Sequence, residues 1–152
     1  MTATIDTAAP AFMPRYGNPT FDCGGAQIRA QCRHLATVVT ISGAIDAMNI
    51  DRVSEYSRRF ILAENPFVLD LSGVTSFTGH GIPYLYRLDE DCRTVGVEWA
   101  LVASHAVVQL LRIGNDEAMF PAAGSVREAL HHFADVIFTR RRLLLAQLTK
   151  TA

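Results

Sequence analysis

Three hydroxyl side chains follow a short apolar stretch in the middle of the chain. Residues 68–82 run from apolar residues through a segment of small residues into the start of a predicted helix. Thr75, Ser76 and Thr78 supply the hydroxyl groups of this segment, to which a kinase could attach a phosphate. Such residues also serve commonly in turns and helix caps, and we favour that ordinary role. Thr78 is still a candidate phosphosite.

One histidine of the same segment lies between two glycines, in Gly79-His80-Gly81. A nucleophile elbow needs a serine between its glycines, and a phosphate-binding P-loop needs lysine followed by serine or threonine. His80 could sense pH or contact a ligand, whereas a solvated histidine is the simpler interpretation. Since the chain shows no nucleophile with a base and no cofactor fingerprint, we predict no catalytic residues, no enzyme activity and no cofactor.

The composition is typical of a folded protein of moderate size. The chain has 152 residues, of which 49% are hydrophobic and 19% charged, and its net charge is −1. This length suits one domain, and the near-neutral charge gives no reason to expect nucleic acid or an anionic membrane as a partner. Because no apolar run approaches about 20 residues and the N-terminus lacks a secretory signal, we expect a cytoplasmic protein.

The cysteines, histidines and arginines do not form a recognisable site. The three cysteines are odd in number and contain no CxxC pair, so we expect buried or idle thiols. The histidines lack metal-ligand spacing, and no metal is predicted. Arg140–Arg142 are better explained as charges that complement a helix dipole than as a nucleic-acid contact. Leu143–Leu145 pack either on the domain or on a partner chain, and a homo-oligomer stays an open alternative.

The hydrophobic pattern predicts an α/β domain with a mixed β-sheet, about four α-helices and a flexible N-terminal tail. We divide the chain into a tail over residues 1–25, a domain over 26–138 and the basic and apolar end of the last helix over 139–152. Predicted strands cover Gln27–His34, Ala36–Ser42, Phe67–Leu71, Val97–Ala103 and Ala118–Phe120. Predicted helices follow Asn49 as an N-cap, begin near Gly81, follow Ser104, and begin at Ser125, which forms a capping box with Glu128. The first helix is expected to place Ile50, Val53, Phe60 and Ile61 on one face.

Two motifs in this element order resemble the signatures of the STAS domain (sulphate transporter and anti-sigma factor antagonist). The first resembles D-L-S-x-V-x-F-I-D-S-S-G-L, and the matching residues are Asp70, Leu71, Ser72, Val74, Gly81 and Ile82. The second resembles G-E-L-D-x-x-N/T, and the matching residues are Gly43, Asp46 and Asn49, with Ala44 in place of the family's glutamate. The resemblance covers about residues 27–138 and implies a single STAS-like domain.

The resemblance implies an anti-sigma factor antagonist, which binds an anti-sigma factor and thereby frees a sigma subunit of RNA polymerase. In the family the anti-sigma factor is often a Ser/Thr kinase, and it phosphorylates a serine of the antagonist to block binding. Here the family's Asp-Ser-Ser is Thr78-Gly79-His80, so a glycine occupies the acceptor position. The resemblance therefore implies transcription regulation by partner switching, without phosphorylation at the usual serine.

The implied partner surface combines the turn after one strand with the loop after the next. Its predicted residues are Asp46, Asn49, Ser72, Thr78, Gly79, His80 and Gly81, which apart from Asn49 we expect on one exposed surface. The candidate phosphosites in the tail are Thr2, Thr4 and Thr7, with a Ser/Thr kinase as the second expected partner. A sensory STAS module that binds a small ligand such as a nucleotide is the alternative function.

Overall fold

A mixed β-sheet organises the protein, as the hydrophobic pattern predicts. The computed structural model describes residues 20–33 and 35–151, with side chains as far as Gln147. In these residues five strands form one sheet in sequential order. Strands β1 to β5 span Phe21–Asp22, Ala26–Arg33, Ala36–Ile45, Phe67–Phe77 and Trp99–Ala103. The first three strands pair antiparallel, whereas β3, β4 and β5 pair parallel.

Four α-helices of the described chain cover the two faces of the sheet. Helices α1 to α4 span Ile50–Arg58, Gly81–Val95, His105–Ile113 and Val126–Thr151. The first three helices contribute side chains such as Val53, Leu85 and Val107 to the larger core, on one face. On the other face Leu130 and Phe133 of α4 pack against the sheet. The predicted fold class is confirmed.

The sheet begins before the predicted domain boundary at residue 25. Phe21 and Asp22 pair with β2, the Phe21 ring stacks on Tyr56 at 4.2 Å between ring centroids, and Cys23 is fully buried. The prediction of a flexible tail is therefore wrong for these residues, because an apolar ring and a thiol anchor them to the core. Residues 1–19, which include Thr2, Thr4 and Thr7, lie outside the described residues.

Strand β4 is longer than predicted and absorbs most of the segment expected to be a loop. Between the pairs Thr40–Asp70 and Ala44–Ser76, β4 advances six residues while β3 advances four. The additional residues form bulges, which bend a strand and shift its alternation of faces. As a result Thr75 and Ser76 lie within β4, and only Thr78–His80 remain as the loop before α2.

The predicted strand Ala118–Phe120 is not formed. Residues Glu117–Met119 are a short 3-10 helix, and the chain meets the sheet slightly later, where Ala122 bridges Leu101 of β5. The Leu101 N–H donates to Pro121 O at 2.7 Å, and the Leu101 carbonyl accepts from Ala123 N at 2.9 Å. The sheet thus gains a single bridge here instead of a strand.

Helix α1 ends at Arg58, earlier than its apolar pattern suggests. Phe60 and Ile61 lie in the following turn and still pack against the core. The buried face of α1 also carries Ser57, whose hydroxyl is 2.8 Å from the Tyr84 hydroxyl of α2. A buried polar pair of this kind is invisible to a search for apolar periodicity.

Helix α4 begins with the predicted capping interaction. Ser125 Oγ accepts a hydrogen bond from Glu128 N at 3.0 Å, while Glu128 Oε1 accepts from Gly124 N at 2.9 Å. The cysteine prediction also holds in part, since Cys23 and Cys92 are buried and Cys32 is half-buried. Burial, with the neighbouring aspartates, raises the pKa of the Cys92 thiol to about 12.

Candidate functional site

Two loops meet at the carboxyl edge of the central parallel strands. The last residues of β3 and β4, Ile45 and Phe77, are partners in the sheet. The Thr78 N–H then donates to the Ile45 carbonyl at 3.2 Å, which fixes the second loop beside the first. Asp46 and Thr78 directly follow these strands, so they are neighbours, as expected for adjacent parallel strands that end together.

Asp46 shapes the first loop with its own carboxylate. Asp46 Oδ1 accepts hydrogen bonds from the N–H groups of Met48 at 2.9 Å and Asn49 at 3.3 Å. Its backbone carbonyl accepts from Ile50 N at 3.0 Å, at the entry to α1. Asp46 therefore supplies the capping interaction that the sequence assigned to Asn49. The Asp46 side chain stays half exposed, so one carboxylate oxygen remains accessible to a partner.

Asn49 occupies the N-cap position of α1, as predicted, but it is a buried structural residue and not part of an exposed partner surface. Its side chain makes no capping hydrogen bond, and the residue is 1% exposed. Asn49 Nδ2 instead donates to Gly24 O at 3.1 Å and to Ala44 O at 2.8 Å, and Asn49 Oδ1 accepts from Asp46 N at 3.0 Å. The amide thus ties the β1–β2 turn, strand β3 and the first loop together.

The second loop, Thr78–His80, is short and presents small groups. Thr78 Oγ1 is 3.3 Å from His80 Nδ1, and both side chains are accessible at least in part. Gly79 is exposed, and a Cβ added there would meet no heavy atom within 4 Å. A partner can therefore approach the backbone of this loop closely.

Gly81 is buried, contrary to the prediction of an exposed position. It is the first residue of α2, and a Cβ there would overlap the Phe77 ring. Its N–H donates to Thr78 O at 2.9 Å. The glycine is required because the aromatic ring occupies the space of a side chain, and its role is to hold the loop in place.

Ser72 lies apart from the two loops. It sits in β4 five residues before Phe77, and at about 3.3 Å per residue this corresponds to at most about 17 Å along the strand. Its hydroxyl donates to Asp70 Oδ1 at 2.7 Å, and its N–H donates to the same oxygen at 3.1 Å. The side chain is exposed in the bulged part of the strand, and a surface shared with Gly79 stays a prediction.

Met48 is the residue of this edge that sequence analysis missed. It is 85% exposed at the tip of the first loop, between Asp46 and the buried Asn49. The sequence contained a weak signal, an apolar residue in an otherwise turn-like segment. That signal could not be separated from the apolar face of α1, which begins two residues later. We call Asp46, Ala47, Met48, Thr78, Gly79 and His80 the loop-edge surface.

Comparisons with known proteins decide the family of this chain. A sequence model of the STAS domain matches residues 27–129. The chain belongs to the STAS domain family. An osmosensory protein A from Mycobacterium tuberculosis is 54% identical over 158 aligned residues, which span 100% of both chains.

Solved structures of the same fold agree with this family. An anti-sigma factor antagonist from Mycobacterium paratuberculosis superposes with a TM-score of 0.64 at 19% identity, over 70% of this chain and 92% of that one. An anti-sigma factor antagonist (STAS) domain protein from Planctomyces limnophilus gives a TM-score of 0.60 at 19% identity, over 70% of this chain and 97% of its own. At these identities the likeness concerns the fold.

The described residues contain neither a candidate metal cluster nor a helix with the length and apolarity to cross a membrane. Within the loop-edge surface, the Thr78 hydroxyl and the His80 ring have no carboxylate bonded to them in the part of the chain that is described. The arrangement therefore offers a surface for contact: an exposed methionine, an acidic side chain and an open glycine loop.

Proposed function

We propose that this STAS domain is an anti-sigma factor antagonist, a non-enzymatic regulator of transcription that binds an anti-sigma factor through the loop-edge surface. The supporting observation is the juxtaposition of the two loops, with Met48 85% exposed beside the Asp46 carboxylate. Interfaces commonly place a few apolar anchors inside a polar rim. A cytoplasmic location belongs to this proposal, since sigma subunits act on RNA polymerase.

The proposal includes the loss of the usual switch in the second loop. The family's acceptor serine corresponds to Gly79, which has no side-chain hydroxyl to accept a phosphate. The neighbouring Thr78 hydroxyl lies beside His80. Phosphorylation normally adds about −1.5 to −2 charge to such a site and blocks contact. We therefore assign control by a Ser/Thr kinase to the N-terminal threonines, Thr2, Thr4 and Thr7. The second loop then stays able to bind the anti-sigma factor at all times.

Binding to each anti-sigma factor encoded by the source genome tests the first part. We expect one of them to bind the chain in a pull-down assay and in titration calorimetry. Met48→Glu should weaken that binding at least about tenfold, because it places a charge at the apolar anchor. Asp46→Asn removes the charge but keeps the oxygen that caps the loop, so weaker binding by this variant reports the contact and not a folding defect.

Glu90→Lys is the matched control, because Glu90 is an exposed acid near the other end of α2. Its affinity should equal that of the unaltered chain. If no anti-sigma factor binds, or if Met48→Glu and Asp46→Asn bind as tightly as Glu90→Lys, the loop-edge surface is not the interface.

Mass spectrometry tests the assignment of phosphorylation. After incubation with ATP and the cognate kinase, the tryptic peptide of residues 60–87 should stay unmodified, while phosphate appears in the peptide of residues 1–15. Alanine at Thr2, Thr4 and Thr7 together should abolish the uptake. Phosphate on Thr75, Ser76 or Thr78 would show instead that the switch has shifted along the loop.

A second candidate function is favoured by the osmosensory relative. We propose as the alternative that the chain is a sensory STAS module, which responds to a small ligand such as a nucleotide and signals by protein contact. A ligand that binds only the folded state raises the melting temperature. A saturable rise with one nucleotide, combined with no anti-sigma factor captured, would favour this alternative over the first proposal.

A further inference from the structure

The second half of α4, the longest helix in the described part of the chain, extends beyond the domain. From Phe138 to Gln147 every residue of α4 is exposed, although the helix continues to Thr151. At 1.5 Å per residue the helical segment of residues 138–151 is about 20 Å long. We call it the overhang. Its four large apolar side chains that are described, Phe138, Leu143, Leu144 and Leu145, are each 60–63% exposed.

Leu144 continues the face by which α4 contacts its own domain, and Leu143 continues the exposed stripe beside that face. Leu144 follows Phe133 by eleven residues, which is about three helical turns, so both side chains lie on the same stripe. Phe133 is buried against the sheet, whereas Leu144 has no described part of the domain beneath it. Leu143 follows His132 by the same interval. The apolar surface that secures the first half of the helix is thus repeated where the domain has ended.

A groove lies along the first half of the same helix. It has a volume of about 660 Å³ and separates α4 from β5 and the segment 118–123. Its apolar lining includes Trp99, Met119 and Phe120, and Met119 is 59% exposed. The groove therefore offers an accessible apolar floor directly beside α4.

The rim of the groove is acidic. Asp89, Glu98 and Glu128 line it. Asp89 pairs with Arg93 at 2.8 Å, Glu98 pairs with Arg140 at 3.3 Å, and Glu128 forms no ion pair with the described residues. The rim therefore retains an excess of negative charge for a cationic partner.

The overhang has the complementary composition. Arg140, Arg141 and Arg142 immediately precede its three leucines. In the described part of the chain Arg141 and Arg142 form no ion pair, and the Arg142 guanidinium lies 5.8 Å from the centre of the Phe138 ring. Residues 1–19 contain one acidic and one basic residue, so that segment does not match an acidic rim.

We propose that the overhang of one copy lies in the groove of a second copy, and that the second copy does the same in return. A two-fold axis near the start of the overhang makes the two α4 helices antiparallel and the two contacts identical, as in most homodimers. Leu144 then contacts the groove floor of the partner, and Leu143 contacts its α4 helix. Arg141, which projects within about 60° of Leu144 around the helix, faces the acidic rim. The proposed dimer contact is a different surface from the loop-edge surface, so the result for one proposal does not decide the other.

Sedimentation velocity of the full chain from about 1 to about 100 μM tests the proposal, because a dimer of this kind must dissociate on dilution. We expect a concentration-dependent dimer. Leu144→Glu and Met119→Glu should each shift the midpoint of dimerisation at least tenfold to higher concentration, the first at the overhang and the second at the groove. Both residues are exposed in the single copy, so circular dichroism should not change.

Leu145→Glu is the matched control, since residue 145 projects about 100° further around the helix from Leu144. It should dimerise like the unaltered chain. A monomer at every concentration would overturn the proposal. A dimer whose midpoint of dimerisation is unchanged by Leu144→Glu or by Met119→Glu would also overturn it. The same holds if Leu145→Glu shifts the midpoint as much as Leu144→Glu does. Anti-sigma factor binding, measured in parallel, should be unaffected by all three variants.

Discussion

Replacement of Asn49 by alanine tests how the candidate site is built. The substitution removes two hydrogen bonds from Nδ2, to Gly24 O at 3.1 Å and Ala44 O at 2.8 Å, and one from Asp46 N to Oδ1 at 3.0 Å. Each such bond contributes about 0.5–1.5 kcal/mol net, and their partners would stay partly buried without replacement. We therefore expect the free energy of unfolding to fall by roughly 2–4 kcal/mol, a large part of the 5–15 kcal/mol typical of a domain.

Urea denaturation followed by circular dichroism measures this change. If the dependence of the free energy of unfolding on urea concentration keeps its slope, the substitution affects only stability. Asn65→Ala is the control, because Asn65 is half-exposed and its side chain forms no hydrogen bond with the described residues. It should change stability by no more than about 0.5 kcal/mol. A loss below about 1 kcal/mol for Asn49→Ala would refute the reasoning that its amide holds the three segments together.

Five further outcomes are expected. Gly79→Ser should leave stability within about 0.5 kcal/mol, because the space beside Gly79 is open, and calorimetric unfolding will show this. Gly81→Ala should cost about 1–3 kcal/mol in the same assay, because the methyl group overlaps a buried ring. Thr37→Val should raise stability by about 1 kcal/mol, because the buried Thr37 hydroxyl has no hydrogen-bond partner among the described residues; a destabilised variant would mean that the hydroxyl is bonded. Burial raises the pKa of Cys92 from 9.0 to about 12, so its thiol should resist alkylation in the native protein while the half-buried Cys32 reacts first. For the same reason the contribution of the Cys92 thiol to the free energy of unfolding is complete below pH 9 and is lost as the pH rises towards 12. Unfolding of the unaltered chain and of Cys92→Ala at a series of pH values measures this contribution.

Local patterns in the sequence were sufficient for the fold class and the family. The apolar run from Phe67 predicted the central strand, and Ser125 with Glu128 predicted the start of α4, because strand burial and helix capping depend on residues close together in the chain. The motifs around Asp46 and Gly81 pointed to the STAS family for the same reason, since each is a continuous stretch. The adjacency of Asp46 and Thr78 also followed, because parallel neighbours end at one edge.

The roles of individual site residues depended on distant partners. Asn49 is buried because its amide reaches Gly24, 25 residues earlier in the chain, and Asp46 therefore takes over the capping. Gly81 is buried because the Phe77 ring turns back over it. The register shifts that place Thr75 and Ser76 within β4 are defined only by its pairing with β3.

The tertiary structure also decided which apolar side chains stay exposed. Met48 and Leu144 look like core residues by hydropathy, because Met48 lies two residues before α1 and Leu144 continues the buried stripe of α4. Whether such a side chain is covered depends on where the rest of the domain ends, and that is a property of the assembled sheet and helices. Local sequence patterns therefore determined most strands, the helices and the family, whereas packing between distant segments decided which side chains stay exposed.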